Sequence, residues 1–592
     1  MGNFYTDNKD LMFLFDHFDV AKLAAMQEEN FKFASKYDYA PENAEDAIDN
    51  YRKMLENIGE ICANEIAPTA EESDRVGNVL NEDGSVTYAP GMSNALKRLA
   101  QADAMGFTLP YRYGGINCPQ FVFSMTNDIV SRADASLMNI YGLQGNADTL
   151  NAFASEEIKQ HYLPKMASGD WTGAMVLTEP DAGSDLQAVK VRGYQDENGQ
   201  WYIHGVKRFI TNGCGKVLLV LCRTEPDISD GRGLSLLVCE NGPKVKVRRL
   251  ENKLGIHASP TCEMVFDHVP AQLVGERQRG LITYVMSLMN GARIGIASQS
   301  LGIGEAAYRV ARDYGNSRKQ YDVTIDRFPA VQELLVDSKV DLEAARSLTY
   351  YATFNVDTEI DCEKKAHANE FATPEDKKAN RQKLRSVGRY NKVLTPMAKY
   401  YSSEMSMRVS NNAIAVLGGS GYMKDYASER HMRDARITTI YEGTSQLQVV
   451  AAVAGVLSGT CKTVIEDILS KPTHAENWTE RTAAYVQQLR DGIVELDEAI
   501  DFIKGQGNQY RDLYARKLVD MGITLVCGAL FADQAESVSV DAEMADVKLK
   551  TLRRWMNQKM PENTMNKVKI ISGATEIIND FEDLAGPVPV VE

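Results

Sequence analysis

Residues 199–213 read GQWYIHGVKRFITNG, a run in which β-branched and aromatic residues alternate with polar ones between two glycine-containing turns. That is the pattern of a strand. More runs of the same kind follow: KVLLVLCRTE at 216–225, GLSLLVCE at 233–240, KVKVRRL at 244–250 and CEMVFDHV at 262–269. Gly, Pro, Asp or Asn separates them, and no helical crossover lies between. A parallel βαβ sheet needs such crossovers, so the spacing predicts a small barrel or two packed sheets over residues 171–279.

On either side the period is helical. Residues 44–68, AEDAIDNYRKMLENIGEICANEIAP, place Ile48, Tyr51, Met54, Leu55, Ile58 and Ile61 at three- and four-residue spacing. This pattern continues to about Lys165, broken by YRYGGINCP at 111–119 and ASGDW at 167–171. From Gly280 it returns, with Ile294, Ala297, Leu301, Tyr308 and Ala311 on one helical face. The charged stretch 357–385 reads as an exposed loop with some helix extension. The break SKPTHAENW at 470–478 precedes a last helical segment. The chain is therefore mainly α with a central β domain: a helical domain over 1–170, the β domain over 171–279, a second helical domain over 280–458 and a helical extension over 459–592. This order excludes a doubly wound Rossmann chain.

At 592 residues the chain is long enough for several domains and a large buried cofactor. A net charge of -16 disfavours nucleic acid as the main partner, because phosphate binding needs a dense Lys/Arg surface. Nine single cysteines without a CxxC pair point to a reducing compartment and against a cysteine-bound metal, so no metal site is expected. The start, MGNFYTDNKDLMFLFDHF, lacks a basic region and an uninterrupted apolar core, and no window approaches the roughly 20 apolar residues of a membrane span. A cytoplasmic protein without an integral membrane segment is expected.

Five short motifs carry the chemistry. LTEPDAGSD (177–185) offers Thr178, Ser184 and a glycine at 183 where main chain can approach a ligand. KRFITNG (207–213) puts Phe209 beside Thr211, and RKQYD (318–322) puts a guanidinium beside an aromatic ring, suiting a diphosphate. LGGSGY (417–422) is a glycine pair that serves either a phosphate or a helix end. In IYEGTSQLQ (440–448), Glu442 has no charged neighbour from Thr438 to Gln448. Singly, each motif has an ordinary structural explanation.

Together, in this order, the motifs resemble the acyl-CoA dehydrogenase family, and the resemblance runs from about Asn50 to Ser458. The N-terminal lead and the extension resemble its larger members, of the 3-methylmercaptopropionyl-CoA dehydrogenase type. The resemblance implies an N-terminal helical domain, a middle β-barrel, a C-terminal four-helix bundle and a C-terminal helical extension. It implies FAD as cofactor. Met175, Leu177, Thr178, Gly183, Ser184, Phe209, Ile210 and Thr211 would line the flavin ring. Arg318, Phe328, Gly418 and Gly419 would serve the pyrophosphate and adenine end, partly from a neighbouring subunit, and Gly443, Thr444 and Gln446 would complete that site. Ser184, Asn290, Arg293 and Tyr441 would contact the acyl-CoA. Glu442 would be the base that takes the substrate α-proton while hydride leaves the β-carbon. Some relatives carry the base on the long helix, one residue before an arginine; that position here is Ala292.

The resemblance also implies α,β-dehydrogenation to a trans-2-enoyl-CoA, with electron-transfer flavoprotein as acceptor. A homo-oligomer is expected, the extension favouring a dimer over the family's tetramer. Three departures stand out: Ala415 and Pro329 where glutamine is common, and Phe209 where many members have tryptophan. An oxidase passing electrons to oxygen, or a non-catalytic or DNA-binding relative on the same scaffold, are the alternative readings.

Overall fold

The computed structural model describes residues 2–589 and separates into two compact units. The first holds the chain up to Asn391 together with Ala398–Ser445; the second holds Lys392–Met397 and the chain from Gln446 onward.

In the first unit the strand-rich region forms seven strands: β1 (Gly173–Val176), β2 (Arg192–Gln195), β3 (Trp201–Thr211), β4 (Val217–Arg223), β5 (Leu234–Glu240), β6 (Val245–Leu250) and β7 (Thr261–Leu273). Hydrogen bonding runs β1-β4-β2-β3-β7-β5, β6 adds to β7, and β5 pairs back onto β4. That return closes the sheet into a barrel. Strand β4 shows why its sequence is an unbroken apolar run. Val217, Leu219 and Leu221 pack with Ile158, Tyr162, Leu163 and Met166 of the preceding helical region, whereas Leu218, Val220 and Cys222 pack with Trp201, Met264 and Phe266 of other strands. A strand buried on both faces has no polar alternation to show.

The helix Ala44–Ile61 buries Tyr51, Leu55, Ile58 and Ile61 and is capped by Asn43, whose side chain accepts from the Asp46 N–H. Helix Gln120–Ala133 is buried along nearly its whole length. Its first two N–H groups, on Gln120 and Phe121, donate to the Asp357 carboxylate at 2.8 Å each. A carboxylate there satisfies donors that the helix itself leaves open. Three long helices follow the barrel, Met286–Ser317, Pro329–Ala368 and Pro374–Leu417, then the shorter Ser428–Thr438. Between them Arg346, fully buried, pairs with Asp10 at 2.8 Å, Asp128 at 3.1 Å and Glu305 at 2.9 Å. This network ties the N-terminal lead to the helical domain.

The charged stretch expected as an exposed loop is mostly helix. Pro329–Ala368 runs on until Asn369 takes a left-handed φ of 55°, and Pro374–Leu417 begins five residues later at a Thr373/Asp376 capping box. Pairs such as Lys365–Asp361, four residues apart, support the solvated turns. High charge marked a wet helix face.

The second unit consists of helices, among them Thr460–Ser470, Ala483–Lys504, Asn508–Ala535 and Ala542–Ile571. Asn508–Ala535 is long and apolar enough to cross a membrane, which corrects the expectation that no segment approaches a span; yet 94% of its apolar window is buried inside the protein. It is the central helix of a helical core. A Cβ on Gly522 would lie 3.0 Å from Cys461 Sγ and one on Gly528 2.6 Å from Leu489 Cδ2, so both glycines allow close helix packing.

Candidate active site

The motif residues fall into three groups within the first unit. At the barrel, β1 delivers Met175, and Leu177, Thr178, Gly183 and Ser184 follow in the loop behind it. This loop is fastened to β3: the Arg208 N–H donates to the Thr178 carbonyl at 3.0 Å, and the buried Lys207 Nζ donates to the Leu177 carbonyl at 2.7 Å. Lys207 also pairs with Glu179 at 2.9 Å, and Glu179 accepts from the N–H groups of Lys190 and Val191. Burial holds the Lys207 pKa below its usual value, opposed by the Glu179 charge. The brace thereby brings residues 177–178 beside Phe209, Ile210 and Thr211. Phe209 is 51% exposed with a left-handed φ of 61°, and the Arg208 guanidinium lies 4.6 Å from its ring centroid.

The second group borders a cleft of about 500 Å³ lined by Arg318, Tyr314, Ser317 and Ser420 among others. The Tyr314 hydroxyl donates to Ser420 at 3.3 Å, joining the end of Met286–Ser317 to the glycine turn. Gly418 has φ 63°, and a Cβ on Gly418 or Gly419 would meet nothing within 4 Å. The turn therefore presents bare main chain. Phe328 packs edge-on against Tyr321, ring centroids 6.3 Å apart.

The third group surrounds Glu442. Helix Ser428–Thr438 ends, Glu442 and Gly443 take left-handed φ values of 53° and 89°, and the next helix starts at Ser445. A left-handed glutamate is uncommon and needs outside support. That support comes from both sides. The Tyr441 hydroxyl donates to Asn139 Oδ1 at 3.0 Å and contacts Gln299 Oε1, and Gln299 in turn donates to Asn139. Lys399, fully buried, donates from Nζ to the Gly443 carbonyl at 2.8 Å.

Glu442 is half-buried, and burial pushes its carboxyl up to about 7, with Lys399 and Arg293 pulling the other way. Burial likewise brings Lys399 down to about 7, opposed by Glu442 and Glu404. Arg293 is held below its usual value by burial, with Glu442 opposing. It donates from one Nη to Asn290 at 3.2 Å, and its Nε is buried without a protein partner. A carboxylate and two cations thus meet at one partly enclosed point.

Tyr441 is placed as an anchor of the turn, its hydroxyl committed to Asn139 and Gln299. Thr444 sits in the turn, and Gln446 opens the second unit. Sequence reasoning missed Lys399, Asn139 and Gln299 because each lies on a helix far from the motifs. Lys207 and Glu179 were inside quoted motifs, and their signal was a charged residue in an apolar strand and its adjoining loop.

Three family models cover most of the first unit: acyl-CoA dehydrogenase N-terminal domain at residues 49–170, middle domain at 174–269 and C-terminal domain at 279–457. An acyl-CoA dehydrogenase of Bacillus subtilis is 32% identical over 415 residues, 69% of this chain and 98% of that protein. The chain belongs to the acyl-CoA dehydrogenase family. A 3-methylmercaptopropionyl-CoA dehydrogenase of Ruegeria pomeroyi is also 32% identical, over 68% of this chain and 69% of its own. A solved acyl-CoA dehydrogenase complexed with FAD, from Bacillus anthracis, has a TM-score of 0.74 at 20% identity and covers 92% of each chain, so the likeness in fold includes the extension.

Acyl-CoA dehydrogenases are FAD-dependent oxidoreductases, and the residues present fit FAD. The bare glycine turn and Arg318 suit a diphosphate, which needs main-chain approach and a fixed cation. The fastened pair of segments at 175–178 and 209–211 offers an apolar wall with a threonine on each segment. A Cβ on Gly183 would also meet nothing within 4 Å, leaving that loop open to a ligand.

Proposed function

We propose that this acyl-CoA dehydrogenase converts a saturated acyl-CoA into a trans-2-enoyl-CoA, with Glu442 as the base that removes the α-proton. The observation that carries the reading is the enclosed Glu442 carboxyl, raised to about 7 and flanked by Lys399 and Arg293. A carboxylate of that basicity takes a weakly acidic C–H proton better than a solvated one and is still ionised in good part near neutral pH. Bound FAD supplies the hydride acceptor. Met175, Leu177, Thr178, Phe209, Ile210 and Thr211 would hold its ring, and Arg318, Phe328, Gly418 and Gly419 its diphosphate and adenine end.

Within this reading the left-handed Glu442–Gly443 turn fixes the carboxylate, Tyr441 anchors it from one side and Lys399 from the other. Arg293 and Asn290 would receive a thioester or its CoA arm, and the Arg293 Nε is a buried donor that no protein group takes up. Ser184 lies on the open loop that would receive the same ligand. Electron-transfer flavoprotein is the proposed acceptor: Phe209, exposed and stacked under Arg208, gives it an aromatic edge next to the ring-binding strand. The proposed assembly is a homodimer.

The test is anaerobic bleaching of the purified flavoprotein against a panel of acyl-CoA thioesters, with Glu442→Gln in parallel. Bleaching by some thioesters in the parent and a loss of at least ~100-fold in rate in the variant is the expected result. Equal rates in both would remove Glu442 from the mechanism. Mixing the reduced protein with oxygen or with electron-transfer flavoprotein in stopped flow then separates oxidase from dehydrogenase.

A further inference from the structure

The ladder between β3 and β7 is irregular at two places, between Lys207 and Ile210 and, on the outer surface of the barrel, between Ile203 and Gly205. Ile203 pairs with Val269 and Gly205 with Phe266, so the single residue His204 stands opposite two, Asp267 and His268. Such a bulge sends consecutive side chains to the same face, where a regular strand would alternate them. His268 takes the left-handed φ of 52° that this requires, and both Asp267 and His268 are exposed. The backbone irregularity therefore gathers two imidazoles and a carboxylate at one point.

The three ligand atoms lie within 4.8 Å of one another. His204 Nδ1 is 4.0 Å and His268 Nε2 3.9 Å from the same oxygen, Asp267 Oδ1. The two imidazole rings stack at 4.4 Å between centroids. On its other nitrogen, Nδ1, His268 is hydrogen-bonded with the Tyr194 hydroxyl from β2. That is the arrangement that fixes the tautomer and orientation of a metal-binding histidine.

We propose that His204, Asp267 and His268 bind one borderline divalent transition-metal ion, of the Zn²⁺, Ni²⁺ or Cu²⁺ class. Two imidazole nitrogens with one carboxylate oxygen select this class over Mg²⁺ or Ca²⁺, which prefer all-oxygen sets. Bonds of about 2.1 Å in a tetrahedral site would draw the ligand atoms to roughly 3.4 Å apart, which small side-chain rotations from the observed positions supply. The surface leaves the remaining positions to water. Along β3 the site is seven residues, roughly 23 Å, from Thr211. Its effect is to tie β3 to β7 across the bulge, away from the thioester chemistry. Arg192 is the register partner of His204, and Lys244 Nζ donates to the His268 carbonyl at 3.4 Å, so two cations oppose the ion and Asp267 offsets one of them.

The test uses the untagged, metal-stripped flavoprotein titrated with Zn²⁺ by calorimetry, and with Cu²⁺ by electron paramagnetic resonance. One equivalent per chain is expected, with nitrogen hyperfine coupling from two imidazoles in the Cu²⁺ spectrum. His204→Asn and His268→Asn should each weaken Zn²⁺ binding at least tenfold, Tyr194→Phe severalfold, and Arg192→Gln should tighten it. Flavin content unchanged in these variants reports intact folding. A one-equivalent site that survives in the double variant His204→Asn/His268→Asn, or no saturable binding in the micromolar range, would overturn the proposal.

Discussion

Lys399 Nζ donates to the carbonyl of Gly443 at 2.8 Å, so a fully buried ammonium holds the peptide that immediately follows Glu442. Its charge lowers the Glu442 pKa while burial raises it, and burial brings Lys399 down to about 7, opposed by the Glu442 charge. Arg293 is the other cation acting on this carboxyl. Lys399→Met removes one lowering influence, so the Glu442 carboxyl should move above about 7. The acid limb of the kcat/KM profile should then shift up by about one pH unit, costing about fivefold in rate at pH 7 and about tenfold below pH 6. The pH profile of thioester-dependent flavin reduction measures this, and an unmoved limb would sever the link between Lys399 and the proposed base.

Glu442 also works against the fold. Its folded pKa of about 7 lies above the ordinary 4.5, so the native state favours the protonated form. Stability linked to this group is present below about 4.5 and is lost as pH rises toward about 7. Glu442→Gln abolishes that loss. Urea unfolding should show the variant more stable than the parent by about 2 kcal/mol at pH 8, after allowance for the carboxyl's remaining solvent contact, and equal to it near pH 4. A variant less stable than the parent at pH 8 would contradict the assignment of a desolvated carboxylate.

The Lys207–Glu179 pair braces the loop that carries Thr178 and Ser184. Glu179→Gln leaves an ammonium buried without its counter-charge, which costs about 3–5 kcal/mol. Flavin should be lost on dialysis together with that stability. The double variant Glu179→Gln/Lys207→Met should recover part of both losses, because the uncompensated charge goes with the lysine. Absorbance of retained flavin and a thermal melt read the two effects separately.

Arg346 joins Asp10, Asp128 and Glu305 in a fully buried cluster. Arg346→Met should destabilise the first unit by about 3–5 kcal/mol, because three carboxylates would lose a shared cation. Since Asp10 belongs to the lead ahead of the family match at 49–170, limited proteolysis should cut first within residues 1–43. Cleavage elsewhere first would mean the lead is held by its apolar contacts instead.

The barrel was legible because Val217–Arg223 and Leu234–Glu240 are short, apolar and bounded by turn residues, and their composition allows little else. Glu442 was legible because a lone carboxylate in an uncharged segment is conspicuous. Lys399 was not: it is one cation on a helix of 44 residues, and only tertiary packing shows which side it faces. The long charged stretch near 357–385 misled because charge density reports solvent, whereas the Thr373/Asp376 cap decides backbone. The apolar window of Asn508–Ala535 is the reverse case, a core helix whose composition alone also suits a membrane. His204 and the Asp267–His268 pair are separated by over sixty residues, and no pattern in either segment announces the bulge that joins them.

The left-handed backbone at Glu442 has a consequence for mutational drift. A glycine there would relax the backbone and dispense with an enclosed carboxyl, and one nucleotide change in a glutamate codon suffices to introduce it. If Glu442 is the proposed base, the chain is therefore a single substitution from a protein that keeps the rest of the site and lacks only that carboxylate. Under the proposed function, the strain at position 442 is a standing cost of the fold that the role of base offsets.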